Sequence, residues 1–304
     1  QAVGLKSAFK YVGTVPVTAL TSYLAIAGED KKVEICQLNT TGVTNCTVTD
    51  LSTIIKSWVG GITISPNGVL YIFTSYGGDP NPDTAVYKCT INNMKVINCS
   101  PQTSTGKAST SKGVFSVDGK YFYYNDLTIN GPDINTIKVN MCKVTSNGDL
   151  NNCIVVKSGL PFGQSLTLNY SGDRMVMNTT TGVVSCTMDN ATGMFSSCTQ
   201  TGLGNSDIRD LSFNLDNTRL YVSAFTQINM CNYNRETNQV SACTPTTYNG
   251  LSVSGISFTP TMAIVANGSG YVQKCTVDAT GKLINCAALA GSTLKYTPEV
   301  AIFN

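Results

Sequence analysis

The chain has no histidine, one tryptophan and four glutamates, and charged residues make up only 12% of its 304 positions. A soluble domain usually carries about twice that share, ~25%. Each shortage excludes something. Without histidine no Ser–His–Asp triad can be built, and the commonest general base and metal ligand are missing. With 20 basic and 18 acidic residues the formal net charge is +2, which gives no electrostatic footprint for nucleic acid or an anionic membrane. No apolar run approaches the ~20 residues of a membrane helix, and no stretch of useful length has helical periodicity. No charged n-region followed by an apolar h-region is present. The chain opens on Gln1 rather than Met, as a mature chain does once an export signal is removed, or as an excised fragment does.

Twelve cysteines stand against these shortages, at 36, 46, 89, 99, 142, 153, 186, 198, 231, 243, 275 and 286. They fall into six pairs, with within-pair separations of 10, 10, 11, 12, 12 and 11. The first members of successive pairs are 53, 53, 44, 45 and 44 apart. A fixed period of that size marks a propeller, solenoid or array. An even number of regularly placed cysteines points to disulfides and an oxidising compartment.

Between the two cysteines of each pair lies a turn signal. Gly42, Gly148, Gly193 and Gly281 supply it in four copies, Asn238 in a fifth and Asn92-Asn93 in the remaining one. Gly and Asn tolerate the positive φ of hairpin turns. Each pair is therefore expected to bracket an antiparallel hairpin. Directly opposed cysteines at a non-hydrogen-bonded position, Cα atoms ~4.5 Å apart, are close enough to bridge. The expected disulfides are Cys36–Cys46, Cys89–Cys99, Cys142–Cys153, Cys186–Cys198, Cys231–Cys243 and Cys275–Cys286. Zinc sites favour two to four intervening residues, which fits these spacings poorly.

A second hairpin precedes the cysteine pair in five copies, at 61–73, 113–125, 166–178, 211–223 and 256–267. Each is an apolar run, a turn and a second apolar or aromatic run. Each repeat then holds four strands, A and B followed by C and D with the cysteines. Four antiparallel strands per ~45 residues is the pattern of a propeller blade. The fold class expected is all-β: a six-bladed β-propeller with four antiparallel strands and one C–D hairpin disulfide per blade. The blades are expected near 20–57 plus 295–304, 58–104, 105–158, 159–202, 203–249 and 250–294.

The B strands Leu70-Tyr71-Ile72 and Leu220-Tyr221-Val222, with the hairpin Lys-Cys-Thr-Val…Gly-x-Leu-x-x-Cys at 274–286, resemble the bacterial YVTN/NHL-like propeller repeats. The resemblance is to the secreted members with one cysteine pair per blade, and covers about residues 20–304. It implies a fold and an extracellular or cell-surface location rather than a chemistry, since propellers host enzymes, lectins and scaffolds alike.

The segment 295–304 reads as an A strand without its B partner, and 22–28 as a B strand without its A. Pairing them would close the ring from both ends of the chain. Residues 1–19 contain a strand-like run from Phe9 to Val17, so blade 1 has two candidate A strands, one at each terminus, for one position. The spare segment either flanks the ring, extends a sheet or is disordered, or it donates a strand to a neighbouring subunit, building an oligomer or filament.

Candidate sites fall on one face, where B–C and D–A connections meet. Two enlarged B–C loops, 76–85 and 127–136, place Asp79, Asp83, Asp126 and Asp133 there as weak Ca²⁺ candidates, against the alternative that they only shape turns. Trp58 falls in a D–A connection of the same face, for packing or for stacking on a sugar. Glycosylation sequons occur at Asn39, Asn169, Asn178, Asn190 and Asn267, and also at Asn45 and Asn98, which directly precede a cysteine within a strand. No catalytic residue, cofactor or nucleic-acid partner is indicated. The expected function is a non-catalytic extracellular binding or assembly module with a protein partner, a second copy or a carbohydrate. The alternative is a metal-dependent, lactonase-like or carbohydrate-active propeller, which would gather three or more carboxylate or amide side chains at the channel mouth.

Overall fold

Hairpins of this kind bury only one face each and are marginal alone. In the computed structural model they stack radially as six four-stranded antiparallel sheets. The structure describes residues 22–28, 30–75, 85–106, 112–126, 136–161, 163, 165–201, 203, 208–248, 250, 252–268, 270–294 and 299–303. In order A to D, blade 2 comprises Trp58–Ile64, Leu70–Ser75, Val86–Asn92 and Lys95–Pro101. Blade 3 comprises Gly113–Phe115, Tyr121–Asp126, Thr136–Val144 and Leu150–Pro161. Blade 4 comprises Leu166–Leu168, Arg174–Thr179, Gly182–Met188 and Phe195–Thr201. Blade 5 comprises Asp210–Phe213, Arg219–Ser223, Ile228–Asn234 and Gln239–Pro245. Blade 6 comprises Val253–Phe258, Met262–Asn267, Gln273–Val277 and Leu283–Ala288.

Blade 1 is assembled from both ends of the described chain. Its B, C and D strands are Ser22–Ala27, Lys32–Leu38 and Val43–Asp50, and its A strand is Glu299–Phe303. The register sets Tyr23 opposite Phe303 and Ala27 opposite Glu299. The six A strands contact one another in a closed circuit and line a central channel. Among the described residues the only helical turn is Thr103–Thr105.

The core lies between blades. Val33 and Ile35 of blade 1 pack on Leu70, Ile72 and Tyr87 of blade 2, while Leu24 and Ile26 face Ile264 and Ala266 of blade 6. Tyrosines in the B strands add a repeated tie. The Tyr71 hydroxyl donates to the Gly148 carbonyl in the C–D turn of blade 3. Tyr123 donates to Gly193 of blade 4 at 2.8 Å, and Tyr221 to Gly281 of blade 6. In each case the glycine's positive φ (80°, 74° and 88°) turns its carbonyl region toward the preceding blade. Gly42 departs from this expectation. It has no positive φ, and an added Cβ would lie 2.7 Å from the Ala290 carbonyl oxygen, so close approach rather than turn geometry calls for glycine.

All six disulfides form as spaced, with Cα separations of 3.9–4.1 Å. The first cysteine of each pair is buried, 0–1% exposed. The opposition is direct only in blade 4, where Cys186 pairs with Cys198 in register. In the other five a β-bulge sets two residues opposite the first cysteine. The residue before the second cysteine then turns left-handed: Asn45 (φ 51°), Asn98 (51°), Asn152 (48°), Ala242 (47°) and Asn285 (51°). A bulge with a covalent tie twists the outermost strand, a device that discourages edge-to-edge pairing.

Candidate functional site

The inner strands share a position four residues before the A–B turn residue. Counting back from Ser65, Ser116, Asn169, Asn214 and Thr259, and in blade 1, which has no A–B turn, from Phe303 at the matching register, it is Gly61, Lys112, Ser165, Asp210, Gly255 and Glu299. Charged side chains occupy blades 1, 3 and 5, and small residues blades 2, 4 and 6. Convergence of the strands brings the three charges together at the channel end nearest the B–C and D–A connections.

The Lys112 ammonium lies 2.8 Å from Asp210 Oδ1 and 2.5 Å from Glu299 Oε2. The side chains of Lys112, Asp210 and Glu299 are 14%, 0% and 4% exposed. The Ser165 hydroxyl also donates to Asp210 Oδ1, at 3.0 Å. On the other oxygen, Oδ2, the Ile256 amide donates at 3.0 Å; the Ser212 hydroxyl lies 3.2 Å away and shares its one proton with the Ile256 carbonyl at 3.0 Å. A Cβ on Gly255 would stand 1.9 Å from Glu299 Oε1, so the missing side chain is the space the carboxylate fills. Five of the six blades thus meet in one cluster.

Burial lifts the Glu299 carboxyl to about 7; Lys112 beside it opposes the rise and Asp210 adds to it. Burial acts to depress the Lys112 ammonium, but the carboxylates of Asp210 and Glu299 outweigh it and hold the group above its ordinary value. The two carboxylates that could hold a metal already flank this ammonium. A metal centre of the lactonase kind does not fit the side chains as they are arranged.

Beyond the cluster the channel opens into a cavity of about 520 Å³, within the usual range for small-ligand sites. Thr63, Thr167 and Ser257 are among the residues that line it, as are Phe115, Phe213 and Phe258, whose rings also pack on Tyr71, Tyr233 and Tyr221 respectively. On the face at the cluster's end, three aromatic side chains stand half exposed. Trp58 opens the A strand of blade 2 rather than lying in the connection before it, Phe225 lies in the B–C connection of blade 5, and Tyr271 in that of blade 6. The Arg209 guanidinium sits 5.7 Å from the Phe225 ring centroid.

Of the calcium candidates, Asp126 ends the B strand of blade 3 opposite Lys138, and Asp79, Asp83 and Asp133 lie outside the described residues, as does the 1–19 segment. Three sequons need correction. Asn169, Asn178 and Asn267 are 1%, 3% and 6% exposed, which leaves no room for a glycan on the folded chain. Asn178 instead accepts from the Ser165 amide at 2.7 Å and donates to the Ile208 carbonyl at 2.8 Å. Asn39 and Asn190 are exposed in turns. Glu34, buried in blade 1, accepts from the Ser292 and Thr293 hydroxyls at 2.9 and 2.7 Å and anchors the connection that leads toward the ring-closing strand. It lies close to Cys36 and Cys46, but both sulfurs are committed to their disulfide.

No protein-family model matches the sequence, and no curated protein matches it. Solved structures do match in shape. A chain of the nidogen–laminin complex superposes with a TM-score of 0.64 at 11% identity, over 92% of this chain and 98% of its own. The periplasmic gluconolactonase of Pseudomonas aeruginosa gives 0.61 at 11% identity, over 93% and 99%. A protein of unknown function from Desulfotomaculum acetoxidans gives 0.59 at 12% identity, over 93% and 85%. At such identities the likeness is one of fold: this chain is similar to six-bladed β-propellers that bind and to others that catalyse. No helix is long and apolar enough to cross a membrane among the described residues. The six disulfides are those of an oxidising setting.

Proposed function

We propose that the chain is a non-catalytic, extracellular binding and assembly propeller. The observation that carries this reading is the face at the cluster's end. At that end of the channel lies an ion cluster whose charges largely satisfy one another, while Trp58, Phe225 and Tyr271 present half-exposed rings on the same face. Exposed aromatic rings on a rigid, stapled frame suit a protein or carbohydrate partner. Self-assembly is the partner mode we favour. All six sheets are complete from the described strands, and Glu299–Phe303 holds the inner position of blade 1. None of the six four-stranded sheets therefore needs residues 1–19 to supply its inner strand.

Deleting residues 1–19 and measuring particle mass and shape by mass photometry and electron microscopy tests this. Loss of oligomers or filaments is expected, and an unchanged mass distribution would overturn the assembly mode. The lactonase-like reading draws on the carboxylates of Asp210 and Glu299 buried at the channel end, where burial pushes the Glu299 carboxyl up to about 7. The likeness to the Pseudomonas enzyme adds to it. Glucono-lactone hydrolysis lost on Glu299→Gln would establish that reading instead.

A further inference from the structure

We propose that Lys112 and Asp210 are joined by a spontaneous side-chain amide, formed with Glu299 as the proton carrier. Three groups of the right kinds already stand in hydrogen-bond contact. The nucleophile is the Lys112 amine, 2.8 Å from Asp210 Oδ1. The electrophile is the Asp210 carboxyl carbon. The carrier is the Glu299 carboxylate, 2.5 Å from the same nitrogen and tuned by burial to accept and release a proton near neutrality. Positioned pairs of this kind react as though at very high concentration.

The step balances without any co-reactant. Glu299 takes a proton from the Lys112 ammonium and passes it to Asp210 Oδ1, which leaves a neutral amine beside a neutral carboxylic acid. The nitrogen lone pair forms a bond to Asp210 Cγ, and the carbonyl electrons move onto Oδ2. The Ile256 amide already donates to that oxygen at 3.0 Å and stabilises its charge. Glu299 then accepts the second N–H proton from the nitrogen and delivers it to Oδ1. The Cγ–Oδ1 bond breaks, water leaves, the carbonyl reforms, and Glu299 returns to its starting state. An ammonium and a carboxylate have become an amide and one water.

Burial gives the reaction its direction. A buried ion pair bears the desolvation of both charges, and a neutral amide does not. The water can leave into the cavity, which Lys112 borders. The product would tie blade 3 to blade 5 across the channel by a bond that reductants cannot cut.

Intact mass of the native chain after denaturation and full disulfide reduction tests this. A mass one water below that of the sequence is expected, with peptide mapping that finds the Lys112 peptide joined to the Asp210 peptide. Cyclisation of Gln1 expels ammonia, which the same spectrum separates. Lys112→Arg is expected to show the full mass, and so is Glu299→Gln when its circular dichroism matches the wild type. A wild-type chain at full mass, or a water loss mapped to other residues, would overturn the proposal. A link that forms undiminished in Glu299→Gln would overturn the role of Glu299.

Discussion

The left-handed residue before the second cysteine offers a test in which backbone energy can be read almost alone. Asn45, Asn98, Asn152 and Asn285 occupy it in four blades and Ala242 in a fifth, and all five are exposed. A substitution there changes little packing. The left-handed conformation costs a residue with a Cβ roughly 1–2 kcal/mol. Asparagine recovers part of that, and glycine avoids it at a cost of about 0.5–1 kcal/mol from its freer unfolded chain. Ala242→Gly and Ala242→Asn are each expected to stabilise by about 0.5–1 kcal/mol, and Asn285→Ala to destabilise by a similar amount. Calorimetry with disulfides intact should register shifts of about 1–3 °C for a chain of this size. A host without N-glycosylation is required, because Ala242→Asn creates a sequon. Blade 4 is the internal control: its cysteines are in direct register and Ser197 does not turn left-handed, so Ser197→Asn should leave stability unchanged. Equal effects in blades 4 and 5, or none on replacing Ala242, would refute a backbone origin for the pattern.

Replacing Cys186 and Cys198 together by Ala should cost about 2–3 kcal/mol in denaturant unfolding, the value for closing a loop of this length. Tyr123→Phe should cost roughly 1 kcal/mol by removing the buried donor to Gly193, whereas substituting Tyr23, which has no such tie among its described contacts beyond stacking on Phe303, should cost less. Glu299 ties stability to pH. Its carboxyl is raised from 4.5 to about 7, so the folded chain keeps a proton that the unfolded chain releases between those values. Stability should therefore fall as pH rises through that window, and Glu299→Gln should remove roughly 3 kcal/mol of the decline, measured by denaturation at both ends of the window.

The frame was legible because its signals are local. Gly148, Gly193 and Gly281 mark turns by a conformation few residues accept, and each cysteine pair lies within one hairpin. Ring closure was legible only as a choice: 295–304 and 22–28 each lacked the partner strand the other could supply, but the run from Phe9 to Val17 competed for the same position, and the pairing of Glu299–Phe303 with Ser22–Ala27 decides it. The bulge was missed, although its signal is plain: Asn directly precedes the second cysteine at 45, 98, 152 and 285. Residues that tolerate a left-handed turn, repeated at a register-setting point, mean an extra residue in the strand. The ion cluster was missed for another reason. Lys112, Asp210 and Glu299 sit in three separate repeats, and only convergence of the inner strands makes them neighbours. Aligning the repeats on their A–B turns would have shown charge at one position of alternate blades. Nothing in the sequence gives the distances between those charges.

Closing blade 1 with Glu299–Phe303 also sets an order of events during synthesis. Blades 2 to 6 are each built from neighbouring strands, so they can form one after another as the chain emerges, each sealing its own disulfide. Blade 1 must wait, its B strand without an inner neighbour, until residues 299–303 have left the ribosome. The same arrival delivers Glu299 to Lys112 and Asp210. A chain cut short just before residue 299 would therefore leave blades 2 to 6 around an open ring, with the inner edge of the Ser22–Ala27 strand unpaired and a lysine facing a single carboxylate. Quality control need inspect only that one seam to tell a finished molecule from an unfinished one.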